Sequence, residues 1–151
     1  MAELIEKTRT NYFRTDDPEA LDRLLRSVKT DSGPISIVTD GDTHMFYCAG
    51  TIDGVLTEKA KEMLASDPDW VDDNPDEAYS HDLFLTKLQA LVAPGDACII
   101  RSVGHEAMRD LWANAYIVTR DAIEFVFFTD TIREAARSML GDPEWDTVME
   151  G

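Results

Sequence analysis

Apolar residues recur at helical spacing in four stretches of the chain. In PEALDRLLRSVKT, which begins at Pro18, the apolar positions leave the charged positions on the opposite side, as in a helix that lies on a core. Asp17 precedes Pro18, which pairs a capping residue with proline in the first helical turn. The stretches TEKAKEMLA, SHDLFLTKLQALV and TIREAARSML have the same periodicity. We therefore predict a helix in each of the four.

Other stretches are rich in β-branched and aromatic residues, which favour strands. EKTRTNYFRTDD, near the N-terminus, predicts the first strand. Two such runs flank Asp40-Gly41-Asp42 and predict a hairpin, because Asp-Gly favours a tight turn. The runs DACIIRSV, LWANAYIVTR and AIEFVFFTD predict three more strands, the last two joined by a turn at Arg120 and Asp121.

The order of these elements predicts the fold class. Strands that follow one another along the chain pair as antiparallel neighbours, and helices between such groups cover the sheet. We predict an α+β fold with a mostly antiparallel sheet of five to six strands and with helices packed on one face. The chain of 151 residues has the size of one domain, 1–151, with an acidic connecting segment at residues 66–80.

Charge excludes several classes of partner. The chain carries 30 acidic and 14 basic residues, for a net charge of −16, and this field repels nucleic acids and anionic membranes. The N-terminus lacks an apolar signal region, and no apolar run approaches the roughly 18–20 residues of a membrane span. We therefore predict a cytoplasmic protein that binds neither nucleic acid nor membrane. Cys48 and Cys98 lie in apolar surroundings and predict two buried thiols rather than a disulfide.

The sequence lacks complete metal-binding and cofactor-binding motifs. An EF-hand loop that starts at Asp67 has Val71 at position 5 and Ala78 at position 12, and one that starts at Asp72 has Leu83 at position 12. GHEAMRD begins like a zinc-protease helix but lacks the second histidine four residues after the first. Nucleotide-binding and acyl-transfer motifs do not occur. The sequence predicts no metal and no cofactor.

Two alternatives to a binding function stay open. The first is a small hydrolase or transferase with a pocket centred on His105, in which Glu106 or Cys98 supplies the second group and Cys98 meets His105 across a turn. The second is a self-associating structural protein with an apolar patch around Trp112 or Trp145.

The acidic segment is the most distinctive part of the sequence. It holds six carboxylates and no Lys or Arg. In an extended chain, residues two apart lie about 6.5–7 Å from each other, close to twice the per-strand phosphate repeat of DNA. The segment is therefore predicted to mimic nucleic acid and to bind the basic surface of a nucleic-acid-binding protein or nuclease. The alternative is that the segment is a solvated loop without a binding function. The candidate partner-binding residues are Asp67, Asp69, Trp70, Asp72, Asp73, Asp76, Glu77 and Tyr79.

Three stretches carry a family resemblance. TRTNYFR at residues 8–14, CIIRSVGHEAMR at residues 98–109 and the following NAYIVTRDAIEFV resemble a family of small acidic proteins of conjugative elements and prophages of gut bacteria. The resemblance implies no catalytic residues. It implies a regulatory or anti-defence role, including inhibition of a CRISPR or restriction nuclease.

Overall fold

The computed structural model describes residues 4–31, 33–106, 109–127 and 132–147. This part of the chain contains ten strands and six helices. The strands are β1 (Leu4–Thr10), β2 (Phe13–Arg14), β3 (Lys29–Thr30), β4 (Ser36–Asp40), β5 (Thr43–Ala49), β6 (Ile52–Leu56), β7 (Tyr79–Ser80), β8 (Ala97–Glu106), β9 (Arg109–Thr119) and β10 (Ile123–Phe127). The helices are α1 (Pro18–Arg26), α2 (Glu58–Leu64), α3 (Asp69–Asp73), α4 (Pro75–Ala78), α5 (His81–Gln89) and α6 (Ile132–Leu140).

Local signals in the sequence account for most of these boundaries. The side chains of Asp17, Thr57 and Ser80 each accept a hydrogen bond from a backbone N–H in the first turn of α1, α2 and α5. These caps satisfy donors that a helix leaves without an internal partner. The predicted hairpin is formed by β4 and β5, with Gly41 in the left-handed region at a φ of +62°. All four predicted helices and the predicted hairpin are confirmed.

Seven strands form the main sheet, and every pairing in it is antiparallel. The order is β10-β9-β8-β1-β5-β2, with β4 also paired to β5. β1 pairs with residues 47–49 of β5 and β2 with residues 43–44, so the two behave as one interrupted strand. Asn11 lies in the interruption, where its side chain donates to Ala97 O and accepts from Ile99 N. The α+β class and the mostly antiparallel sheet are confirmed.

Helices cover both faces of this sheet, so the prediction that they pack on one face is wrong. Successive residues of β8 point to opposite faces. Cys98 and Ile100 belong to the larger core, which also contains buried leucines of α1 and α5. Ile99 belongs to a second core, with Ile132 and Ala136 of α6. Both faces of β8 are apolar here, because this part of the strand is covered on both sides.

A second, smaller sheet has the order β3-β6-β7 and was not predicted. Its outer strands, β3 and β7, are two residues long, which is too short to show a periodic pattern. Ile52 and Val55 of β6 are buried in the core shared with α1 and α5. This sheet therefore lies on the α1–α5 side of the main sheet and carries the acidic segment with it.

Candidate functional site

The acidic segment folds, together with α2, into a compact unit that we call the acidic lobe (residues 57–80). Ala60, Val71 and Ala78 are buried together at its centre. Thr57 N donates to Ala78 O at 2.8 Å, which joins the start of α2 to the end of α4. Asn74 Nδ2 donates to Trp70 O at 2.9 Å and closes the end of α3. The segment is therefore held by its own small core and by hydrogen bonds, and the prediction of an extended row of charges is wrong.

The acidic segment contributes six carboxylates to the outside of the lobe, in addition to Glu58 and Glu62 of α2. Those of Asp67, Asp69, Asp72, Asp73, Asp76 and Glu77 belong to residues that are all exposed. Within the part of the chain that the structure describes, the first five form no ion pair, whereas Glu77 Oε2 lies 3.3 Å from Lys59 Nζ. The acidic segment thus presents five exposed negative charges that no neighbouring base in the described chain neutralises.

The two predicted aromatic anchors, Trp70 and Tyr79, are half-buried against the core of the lobe. Lys59 Nζ lies 5.3 Å from the centre of the Trp70 ring, and Lys29 Nζ lies 5.5 Å from the centre of the Tyr79 ring. Both are cation–π contacts. The fold therefore brings two lysines to the acidic segment, which has no lysine of its own. Because Lys29 and Lys59 lie outside residues 66–80, the sequence of the segment does not predict these contacts.

One close backbone contact fixes the lobe to the rest of the protein. In the small sheet, Val55 pairs with Ser80 and Leu56 with Tyr79. Gly54 precedes this pairing with a φ of +124°, and a Cβ atom on it would lie 2.2 Å from Ser80 O. Only glycine leaves room for this approach. The start of α5 and the end of the lobe are therefore locked to β6.

The backbone does not bring Cys98 together with His105 and Glu106, as the alternative pocket requires. All three residues lie in the single strand β8, so the predicted turn between Cys98 and His105 is absent. Seven residues of strand separate these two positions by roughly 23 Å, at about 3.3 Å per residue. The side chains of His105 and Glu106 lie outside the described part of the structure. The sequence hypothesis that Cys98 meets His105 is therefore wrong.

Both thiols are buried and poor nucleophiles. Cys98 is fully buried, and this burial raises the pKa of its thiol well above the ordinary value, with a further contribution from Asp96. Burial, helped by the charge of Asp31, raises the pKa of the Cys48 thiol to about 11. A nucleophilic cysteine needs the thiolate near neutral pH. The prediction of two buried thiols without a disulfide is confirmed.

The two histidines with described side chains have structural surroundings. His44 Nδ1 lies 3.1 Å from Thr39 Oγ1 across the β4–β5 hairpin. The His81 ring packs 4.9 Å from the Tyr116 ring and 6.2 Å from the Phe84 ring. Burial lowers the pKa of His81, against a smaller opposing effect of Asp82. Among the described residues, no three or more His, Cys, Asp or Glu side chains are grouped so that they could hold a metal ion.

Trp145 belongs to the interior rather than to an apolar surface patch. Its side chain is buried in the second core, and its Nε1 donates to Asp96 Oδ1 at 3.0 Å. Asp96 also accepts from the backbone N–H groups of Arg14 and Ala97, which ties the segment after α6 to β2 and β8. The patch predicted around Trp145 is therefore wrong, and the Trp112 side chain lies outside the described residues.

Comparison of the chain with protein-family models, curated proteins and solved structures finds no match to any of them. The resemblance of residues 8–14 and 98–109 to proteins of mobile elements therefore stays a prediction. None of the helices in the described ranges is long and apolar enough to cross a membrane.

Proposed function

We propose that this is a non-enzymatic binding protein whose acidic lobe engages the basic surface of a nucleic-acid-binding protein or nuclease in the cytoplasm, as a mimic of nucleic acid. The observation that carries the proposal is that five carboxylates without an ion pair in the described chain stand on a folded unit with its own core. A mobile loop loses conformational entropy when a partner orders it. A folded lobe loses less, so each charge contact contributes more to the affinity.

The spacing of the charges on α3 supports the same function. Asp72 and Asp73 follow Asp69 by three and four residues, and at each of these spacings the two Cβ atoms lie about 5–6 Å apart on one side of a helix. Twice the per-strand phosphate repeat of DNA is about 6.8 Å. Like charges at this helical spacing destabilise an isolated helix. A basic partner would relieve that repulsion.

The charge of the whole chain would assist association. A net charge of −16 attracts a positively charged partner over several ångströms before contact and repels the nucleic acid that competes for the same partner. The resemblance to mobile-element proteins would place that partner among bacterial CRISPR or restriction nucleases, or among regulators of the host. An inhibitor of this kind needs no catalytic residue.

The test replaces four exposed carboxylates of the lobe, as Asp69→Asn, Asp72→Asn, Asp73→Asn and Asp76→Asn together. Wild type and variant are used to capture proteins from bacterial lysate over a series of salt concentrations, with duplex DNA as competitor. We expect the wild-type protein to capture a nucleic-acid-binding protein, and we expect added duplex DNA to displace that protein from it. At about 0.5 kcal/mol for each exposed charge contact, the variant should bind this partner roughly 30-fold more weakly and with less salt dependence.

The matched control neutralises four exposed acids elsewhere, as Glu19→Gln, Asp42→Asn, Asp121→Asn and Glu134→Gln. It changes the net charge equally and should retain the partner. Equal loss in both variants would mean that net charge alone attracts the partner. Full affinity in the lobe variant would mean that the lobe is only a solvated surface, and either result contradicts the proposal.

A further inference from the structure

A groove lies where α1 and α5 meet β6 of the small sheet, and we call it the α1–α5 groove. Its volume is about 430 Å³. This volume is within the range of small-molecule pockets, roughly 300–1,000 Å³. The described lining comes from α1, β6, α2 and the C-terminal end of α5, and it includes Arg23, Leu24, Val55, Lys61, Lys87 and Leu91.

The floor of the α1–α5 groove is aliphatic. Leu24 and Val55 are 8% and 4% exposed and belong to the larger core. Leu91 packs against the same core and is half-buried, as is Leu56 of β6. Among the described lining residues there is no aromatic ring on which a planar ligand could stack. An alkyl chain suits such a floor, because each methylene that it buries strengthens binding about fourfold.

Three bases from three helices surround this apolar floor. Arg23 of α1, Lys61 of α2 and Lys87 of α5 are all exposed residues. Lys61 Nζ lies 3.5 Å from Glu58 Oε1, so its charge is partly neutralised. The side chains of Arg23 and Lys87 form no ion pair and no hydrogen bond within the described ranges of the chain. These two cations are therefore available to an anionic ligand.

A purely local role does not account for the shared position of Arg23 and Lys87. Each lies in the last turn of its helix, where a base interacts favourably with the helix dipole. That interaction does not require the two bases to flank one apolar surface. Asp22, the acid next to Arg23 in the chain, pairs with Arg26 at 2.7 Å and so does not neutralise Arg23. The fold thus places two cations from different helices at the edge of one aliphatic floor.

We infer that the α1–α5 groove binds a straight-chain carboxylate, with the carboxylate at Arg23 and Lys87 and the alkyl chain over Leu24, Val55 and Leu91. An inorganic anion would leave the aliphatic floor in water, and an uncharged alkyl chain would leave both cations without a counterion. A fatty-acid anion supplies both parts. The inference goes beyond the function proposed for the acidic lobe and does not depend on it, because its test measures a small molecule and no protein partner.

The experiment titrates decanoate into the full-length protein. Calorimetry gives the Kd, and amide chemical shifts locate the ligand, which we expect to perturb α1, α5 and β6. Octanoate, shorter by two methylenes, should bind about fourfold more weakly or worse. The double variant Arg23→Gln with Lys87→Gln should bind decanoate about fivefold more weakly, as for the loss of two exposed charge contacts. The same variant should bind the uncharged analogue decan-1-ol as wild type does.

The matched control is Arg26→Gln with Lys7→Gln, which removes one arginine and one lysine from exposed positions outside the described lining of the groove. It changes the net charge equally and should retain the wild-type Kd for decanoate. All four substituted residues are exposed, so both variants should melt close to wild type. The inference is overturned if decanoate does not bind, if its shifts map to β4 and β5, if octanoate binds as tightly, or if the control loses as much affinity as the groove variant.

Discussion

The close contact between Gly54 and Ser80 predicts that a side chain at position 54 lowers the stability of the protein. In a Gly54→Ala variant the new Cβ would lie 2.2 Å from Ser80 O and 2.6 Å from His81 N, in a backbone conformation with a φ of +124°. The Ser80 peptide would have to move by about 1 Å, which opens the β6–β7 pairing. Overpacking costs about 1–3 kcal/mol, and backbone strain at such a φ costs about 1–3 kcal/mol.

Together these terms lower the free energy of unfolding by about 4 kcal/mol. For a domain of this size that is roughly a 10 °C fall in the melting temperature, measured by circular dichroism. The control is Gly95→Ala, where φ is also positive, at +83°, and nothing lies within 4 Å of the new Cβ. It should lose only about 1 kcal/mol. If both variants melt at the same temperature, the close contact with Ser80 does not hold the lobe in place.

Two further predictions concern ionisable groups. Cys48 and Cys98 should react slowly with a thiol reagent at about pH 8 and rapidly once the protein is unfolded, because burial raises both pKa values; prompt reaction of the native protein would contradict this. The lowered pKa of His81 means that its contribution to stability is complete above its ordinary pKa of 6.5 and is lost as the pH falls through the lowered value. Melting temperatures over this range should therefore fall more steeply in wild type than in His81→Phe, and identical slopes would refute the burial of a neutral ring.

Much of the local structure follows from the sequence because its causes lie within a few residues. Asp17, Thr57 and Ser80 cap helices through their own side chains, and Gly41 makes the turn of the β4–β5 hairpin. The candidate site was recognised from the sequence as a cluster of carboxylates with two aromatic residues, Trp70 and Tyr79. Its helices were missed, since α3 and α4 have five and four residues and a charged composition that resembles a loop.

The tertiary structure decided what depends on residues far apart in the chain. It places α6 opposite α1 and α5, because both faces of β8 are apolar and each needs a cover. It brings Lys29 and Lys59 onto the rings of Tyr79 and Trp70 and keeps Cys98 far from His105 along one strand. It also brings Arg23 and Lys87 from two helices to one groove. Local propensity determines helices, turns and charge clusters, whereas packing of distant apolar surfaces determines which of those charges face solvent, each other or a ligand.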